Sequence, residues 1–91
     1  MSNTGPYRYR ADVLAHLWRH GVQPRSTTSP ELVRGFVRDL YKYEIRALRE
    51  RYIRREFPKQ EYAERVEALR RRYNVLALHA WQFVEGYNPN S

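Results

Sequence analysis

The sequence contains no cysteine, which excludes both a disulfide framework and a thiolate metal site. No apolar run approaches the roughly 18 residues that cross a membrane. The opening stretch MSNTGPYRYR lacks the apolar core of a secretory signal. These absences predict a chain held together by packing alone, with no membrane association and with the cytoplasm as its location.

Signatures of catalysis are also missing. The four glycines are scattered along the chain, which excludes a phosphate-cradling loop. The hydroxyls of RSTTS, residues 25–29, lie in a segment without periodicity, and no glycine-rich oxyanion element accompanies them. We therefore expect a protein that is not an enzyme, with no cofactor and no small-molecule substrate.

What the sequence does contain is aromatic surface and positive charge. Of its 91 residues, 42% are hydrophobic and 14% aromatic, too many for a disordered chain. The net charge of +7 and the pI of about 10.1 favour anionic partners. All but two of the 17 basic residues are arginine, a bias that also arises from genome base composition or from internal ion pairs. A single folded, basic domain over residues 1–91 is predicted.

The apolar spacing divides the chain into three helices. The first covers about 9–20 and ends at Gly21, a natural left-handed cap that lets Val22 contact Leu17. The second covers about 30–56, because Ser29 and Pro30 form a strong start signal. Pro58 interrupts the pattern, and the third helix covers about 59–85. The termini are expected to fray.

The third helix carries a heptad seam, in which the inward positions follow a 4-3 spacing. These positions are Tyr62, Val66, Leu69, Tyr73, Leu76, Ala80 and Phe83. The second and third helices either fold back at Pro58 as an antiparallel hairpin or form a kinked rod within an oligomer, and the hairpin buries the stripe without a partner. The predicted fold is all-α, a short N-terminal helix packed on a long antiparallel hairpin.

The first helix is expected to lie across the open end of this hairpin. That placement brings Trp18 near Phe36, Trp81 or Phe83. Gly35, inside the second helix, costs about 1 kcal/mol relative to alanine and is expected to permit a close approach of the first helix.

A carboxylate occupies one inward position of the second helix. Glu44 precedes Pro58 by 14 residues and Arg72 follows Pro58 by 14, so a hairpin brings the two to the same level, with the Tyr73 hydroxyl as a further donor. A structural ion pair of Glu44 with Arg72 is predicted, since an unpaired buried carboxylate would cost several kcal/mol. The alternative is a proton carrier or metal ligand with a raised pKa.

The same alignment predicts which arginines are paired internally. Glu61, Glu64 and Glu67 are expected to lie beside Arg55, Arg51 and Arg49. No carboxylate is expected opposite the row Arg34, Arg38, Lys42 and Arg46. The repulsion between these like charges at i, i+4 would be reduced by a bound anion. With Arg70, Arg71 and Arg72, this row is the candidate anion or nucleic-acid surface. A solvated helix face explains it equally well.

A weak metal pattern lies on the first helix. Asp12, His16 and His20 are spaced i, i+4, i+8, which lets two imidazoles share a metal. The glutamate of H-E-x-x-H is absent, so exposed histidines with Asp12 as partner of His16 are preferred, and no metal is predicted. His79 could complete a site only if packing brought it across.

The leading functional hypothesis is a binding or self-assembly module. Eight tyrosines and two tryptophans exceed what a thin core hides, so some are expected to contact a protein partner or a second copy of the chain. Tyr41, Tyr43 and Tyr52 flank the seam and are the candidate anchors. The alternative is sequence-nonspecific binding of a nucleic-acid backbone through the arginine-rich surface.

Overall fold

The computed structural model describes residues 5–86 and is all-α, as predicted. Three α-helices, α1 (Ala11–Arg19), α2 (Pro30–Ile53) and α3 (Lys59–Arg72), are followed by two 3₁₀ helices, Asn74–Ala77 and Ala80–Phe83. Helices α2 and α3 form the predicted hairpin. Within residues 5–86 no helix is long and apolar enough to cross a membrane. The expected fraying of the extreme termini concerns residues 1–4 and 87–91, which lie outside the described residues.

Helix α1 ends as the sequence indicates but packs differently. Gly21 has a φ of 75°, and the Val22 amide donates to the Leu17 carbonyl, a Schellman end. Val13 and Leu17 are buried, whereas Trp18 is 63% exposed. Helix α1 does lie at the open end of the hairpin, where His16 and His20 contact the last residue of α3. The predicted packing of Trp18 near Phe36, Trp81 or Phe83 is wrong, because the buried side of α1 is the one that carries Val13 and Leu17.

Helix α2 begins at the predicted cap and ends earlier than predicted. The Ser29 hydroxyl accepts from the Leu32 amide, with Pro30 at the first helical position. The helix ends at Ile53 rather than near residue 56, because Arg55 takes a φ of 63°. Left-handed geometry at a residue with a side chain costs roughly 1–2 kcal/mol.

The turn that joins α2 to α3 compensates for that cost. The Arg55 amide donates to Tyr52 and the Glu56 amide to Arg51, the two bonds of a Schellman motif. The Glu56 carboxylate lies 2.8 Å from the Arg51 guanidinium, and this contact lowers the pKa of Glu56. Phe57 is buried beside the turn beneath the guanidinium of Arg65, 4.5 Å from its ring centroid. The chain therefore reverses through residues 54–58.

The third helix is shorter than predicted. It ends at Arg72 instead of near residue 85 and gives way to the two 3₁₀ helices. A continuous helix would place Val75 about 180° from Val66, on the solvent side, because nine residues at about 100° each make two and a half turns. The bent path instead buries Val75, Phe83 and Val84, so tertiary packing overrides the heptad spacing.

The core gathers side chains from every element. Its buried members are Tyr9, Val13, Leu17, Val33, Val37, Leu48, Phe57, Leu69, Tyr73, Val75, Phe83 and Val84. The chain before α1 closes it, since Tyr9 forms an isolated antiparallel bridge with Val84 and its hydroxyl donates to the Thr28 carbonyl at 2.6 Å. Burial raises the pKa of Tyr9 to about 12.

Arg34 fastens the 3₁₀ segment to α2. Its guanidinium donates to the Leu78 carbonyl at 2.8 Å and to the Leu76 carbonyl at 2.6 Å. These two carbonyls have no partner within a helix, and the Arg34 guanidinium supplies charged donors to both. Arg34 is therefore a structural residue, and the prediction that it faces an open anion row is wrong.

The substitution Arg34→Met tests this role. It keeps the apolar stem but removes both bonds, and we expect the free energy of unfolding to fall by about 2 kcal/mol. Arg38→Met, one turn further along α2 and exposed, should change it by less than about 0.5 kcal/mol. Urea unfolding of both variants measures the difference, and equal stabilities would show that the two carbonyl bonds contribute nothing.

Candidate binding surfaces

Glu44 lies at the rim of the α2–α3 seam, not within it. The Tyr73 hydroxyl donates to one carboxylate oxygen, and the Arg72 guanidinium lies 3.5 Å from the other. The hairpin thus brings together the residues predicted to meet, although the Glu44 side chain remains 36% exposed and Arg72 is 64% exposed. Burial, followed by the bond to Glu44, raises the pKa of Tyr73 to about 12. The contact that holds Glu44 is chiefly the tyrosine.

His16 and His20 form hydrogen bonds to the last residue of α3. The Nε2 atoms of His16 and His20 lie 3.0 Å and 2.7 Å from the Arg72 carbonyl oxygen. A carbonyl only accepts, so each Nε2 carries the hydrogen. The His20 ring also stacks on Tyr73, with 4.1 Å between centroids. Two imidazoles therefore satisfy one of the carbonyls that the end of α3 leaves open.

This arrangement does not form the metal pattern. Asp12 is 2.7 Å from the Arg10 guanidinium, whose hydrogen bonds hold the pKa of Asp12 below its ordinary value, so it is not the partner of His16. Within residues 5–86 no three metal-ligating side chains gather closely enough to hold an ion, and His79 is not brought to the site.

The charge pairs across the hairpin differ from those predicted. Glu61 binds Arg65 one turn away on α3 at 2.6 Å, and Glu67 lies 3.4 Å from Arg70. Arg51 binds Glu56 in the turn. The predicted pairs with Arg55, Arg51 and Arg49 are therefore wrong, since neighbours on one helix meet without reaching across the seam. Arg49 has no ion pair within the described residues.

The basic groove is a cleft between α2 and α3. Its rim carries Lys42, Arg46, Arg49 and Arg70, and its floor consists of Tyr41, Ile45, Tyr62 and Val66. No carboxylate lines it. Three members of the predicted anion surface thus meet here, and Arg49 joins them. Arg71 and Arg72 lie elsewhere, in a hollow with Arg19 and the two histidines at the α1–α3 junction.

The three predicted tyrosine anchors have separate environments. Tyr41 lies in the basic groove and its ring approaches Tyr73 with 5.3 Å between centroids. Tyr52 stacks on Tyr62 at 4.5 Å, within the hairpin. Tyr43 is 71% exposed, on a different side of α2. Tyr43 is therefore the anchor that is most open to a partner.

The acid-rimmed stripe is a hollow along the outer side of α2. Its apolar members are Leu32, Phe36, Leu40 and Tyr43, and its remaining lining residues are Glu31, Gly35 and Asp39. Leu32 is 69% and Phe36 50% exposed. The only charges lining this hollow are the two carboxylates, although the protein carries +7 overall.

Gly35 forms the bottom of this hollow. A Cβ placed there would meet only the tip of the Arg38 side chain, at 3.9 Å. The prediction that Gly35 permits a close approach of α1 is therefore wrong. A glycine in a helix weakens it by about 1 kcal/mol, and no contact within the described residues requires glycine at this position. The missing side chain would instead let an external surface approach α2 closely.

Sequence reasoning missed Leu32 and Phe36 as surface residues. The signal was present: Leu32, Phe36, Asp39 and Tyr43 follow a 4-3-4 spacing, a second heptad face displaced from the buried one. It was hidden because apolar residues on a helix are normally assigned to the core. Arg49 was missed because it was assigned to an ion pair.

Comparison of the chain with protein-family models, with curated proteins and with solved structures finds no match.

His16 predicts how stability depends on pH. Burial, with help from neighbouring His20 and Arg19, lowers its pKa below the ordinary 6.5 in the fold. The unfolded chain therefore binds this proton more readily, so the contribution of His16 to stability is fully present above about pH 6.5 and is lost as the pH falls through its lowered pKa. His16→Gln keeps a donor for the carbonyl but does not titrate, and should flatten this decline in urea unfolding between pH 7 and 5.

The matched control is His79→Gln, because His79 is not among the residues lining the α1–α3 junction. The stability of the His79→Gln variant should decline as the pH falls, as it does in the unmodified protein. An undiminished decline in His16→Gln would show that His16 does not cause it.

Proposed function

We propose that this protein is a non-enzymatic helical module that binds another protein through the acid-rimmed stripe of α2. The observation that carries the proposal is the exposure of Leu32, Phe36 and Tyr43 together on one side of a helix. Exposed large apolar side chains that form a patch rimmed by charge are typical of protein-binding surfaces. The partner segment that fits is helical, apolar on one side and basic at its edges, because the stripe is rimmed by Glu31 and Asp39.

The expected affinity is modest. Fully burying a leucine or phenylalanine is worth about 1.5–3 kcal/mol, and the stripe residues already bury part of their surfaces. Several kcal/mol of apolar gain must offset the cost of association. A Kd of roughly 10 μM to 1 mM is consistent with a surface of this size.

A designed amphipathic helix of leucine and lysine is the first probe. In NMR titrations of the ¹⁵N-labelled protein at about 0.15 M salt, where long-range repulsion is screened, it should shift the amides of Leu32, Gly35, Phe36 and Tyr43. An otherwise identical leucine–glutamate peptide should instead shift amides of the basic groove. If the leucine–lysine peptide leaves the stripe amides unmoved, the proposal fails.

Two substitutions separate binding from folding. Phe36→Ala should weaken peptide binding roughly tenfold, while Ile53→Ala, at an exposed apolar residue outside the stripe, should not. Gly35→Gln should raise the stability of the fold by up to about 1 kcal/mol yet weaken binding, because it fills the hollow.

A second candidate function is binding to a nucleic-acid backbone through the basic groove. The observation that favours it is the rim of Lys42, Arg46, Arg49 and Arg70 with no carboxylate among the lining residues. The aromatic rings in the floor suit stacked bases.

Fluorescence anisotropy with a labelled single-stranded oligonucleotide tests this candidate. Affinity should fall steeply between 50 and 200 mM salt, and Arg49→Gln should reduce the salt slope by about one. Arg25→Gln removes the same charge from an exposed loop and should have a smaller effect. Equal losses from the two variants would indicate attraction by net charge alone.

A further inference from the structure

The geometry points to a second copy of this chain as the partner: the acid-rimmed stripe of one copy docks into the basic groove of the next. This inference rests on the proposed function, since it names the occupant of the same stripe. Its basis is that the two surfaces are complementary in charge, in the spacing of their charges and in apolar content.

The charges are complementary. The charged residues lining the stripe are Glu31 and Asp39, with the tip of the exposed Arg38 side chain beside Gly35, whereas the groove is rimmed by cations with no carboxylate. Glu31 and Asp39 are eight residues apart, about 12 Å along α2, and Lys42 and Arg49 are seven apart, about 10.5 Å. Both carboxylates can therefore meet a cation of the next copy at once.

Few contacts within one copy would have to break before these charges could bind another copy. Asp39 has one long ion pair, 4.0 Å from Arg38, and the Glu31 carboxylate accepts a hydrogen bond from the Ser29 hydroxyl at 3.0 Å. No ion pair within the described residues involves Lys42, Arg46 or Arg49, while Arg70 has a long contact of 3.4 Å with Glu67. Docking would supply the opposite charges that both surfaces lack.

The apolar parts are complementary as well. Leu32, Phe36 and Tyr43 project from the stripe, and Tyr41, Ile45, Tyr62 and Val66 floor the groove. From Leu32 to Tyr43 the stripe rises through eleven residue steps of α2, about 17 Å, and from Tyr41 to Arg49 the groove rises through eight, about 12 Å. Gly35 lets a neighbouring helix approach closely between the stripe side chains, since nothing but the Arg38 tip lies within 4 Å of its missing Cβ.

The two surfaces lie on different faces of the same helix and share no lining residue. Their α2 residues centre on directions roughly 100° apart around the helix and on positions about eight residues, or about 12 Å, apart along it. One copy can therefore use both surfaces at once. Such a contact joins unlike surfaces, so it repeats from copy to copy instead of closing as a two-fold dimer.

Net charge opposes this assembly at long range. Each copy carries +7, so copies repel in dilute salt. At about 0.15 M ionic strength the screening length is about 8 Å, which weakens repulsion between whole molecules while leaving the contact pairs. We therefore expect association to be greatest near this ionic strength.

Sedimentation velocity over a concentration series at 0.15 M salt tests the inference with two variants. The stripe variant is Phe36→Ala/Tyr43→Ala, and the groove variant is Arg46→Glu/Arg49→Glu; all four side chains are exposed. For the unmodified protein, the average mass should rise beyond twice the 11.1 kDa of one chain without a plateau. Each variant alone should associate at least about tenfold more weakly.

The mixture of the two variants is the decisive sample. The intact groove of the stripe variant can receive the intact stripe of the groove variant, so the mixture should form a one-to-one pair that stops at two chains. A plateau at the dimer in the unmodified protein, or no pairing in the mixture, would overturn the inference. An unmodified chain that stays monomeric while its stripe binds the leucine–lysine peptide would also overturn it, yet leave the proposed function standing.

Discussion

The reversal of the chain between Arg54 and Pro58 is the constraint on which the rest of the structure depends. Arg55 accepts a left-handed conformation that glycine would adopt without steric cost. Two Schellman bonds, the Arg51–Glu56 pair and the buried Phe57 stabilise that turn. Because the chain reverses there, the end of α3 returns to the level of Glu44, and the Tyr73 hydroxyl reaches the carboxylate. The basic groove exists for the same reason, since its rim draws on both helices.

The unequal lengths of the two hairpin helices leave part of α2 exposed. Helix α2 has 24 residues and α3 has 14, so α3 cannot cover the N-terminal part of α2. The bent 3₁₀ segment covers the inner side there, held by Arg34, and buries Val33 and Val37. The outer side of the same turns, with Leu32 and Phe36, has no such cover. The stripe is thus the side of α2 that neither α3 nor the 3₁₀ segment covers.

Local signals in the sequence were sufficient for the fold class and for several details of it. Ser29 and Pro30 start α2, Gly21 ends α1, and Pro58 separates the hairpin helices, because each of these signals acts through its own backbone geometry. The meeting of Glu44 with Arg72 and Tyr73 followed from counting residues on either side of the turn. These inferences need only neighbouring residues and one reversal of direction.

The end of α3 and most charge contacts could not be found in this way. A heptad pattern continues through Phe83, but the position of Val75 makes a straight helix costly, and the preferred path depends on what α2 offers in return. Arg34 offers two bonds to carbonyls, a contact with no sequence signature. Arginine pairs were misassigned because a long side chain has several partners within reach, and the nearest one on its own helix is favoured. The candidate stripe had a spacing signal that was readable only after the buried face of α2 was known.

The positions of the charged residues indicate more about possible partners than the net charge does. A net charge of +7 suggests an anionic ligand, yet Arg34 and Arg51 are engaged inside the fold. What remains is a difference between two neighbouring faces of one helix, with carboxylates beside exposed apolar side chains on the first and cations beside a half-buried aromatic floor on the second. An anion alone would use only the second surface and would leave Leu32, Phe36 and Tyr43 in water. A partner that presents both an apolar ridge and opposite charge satisfies both surfaces, and the chain itself presents each of them to the other.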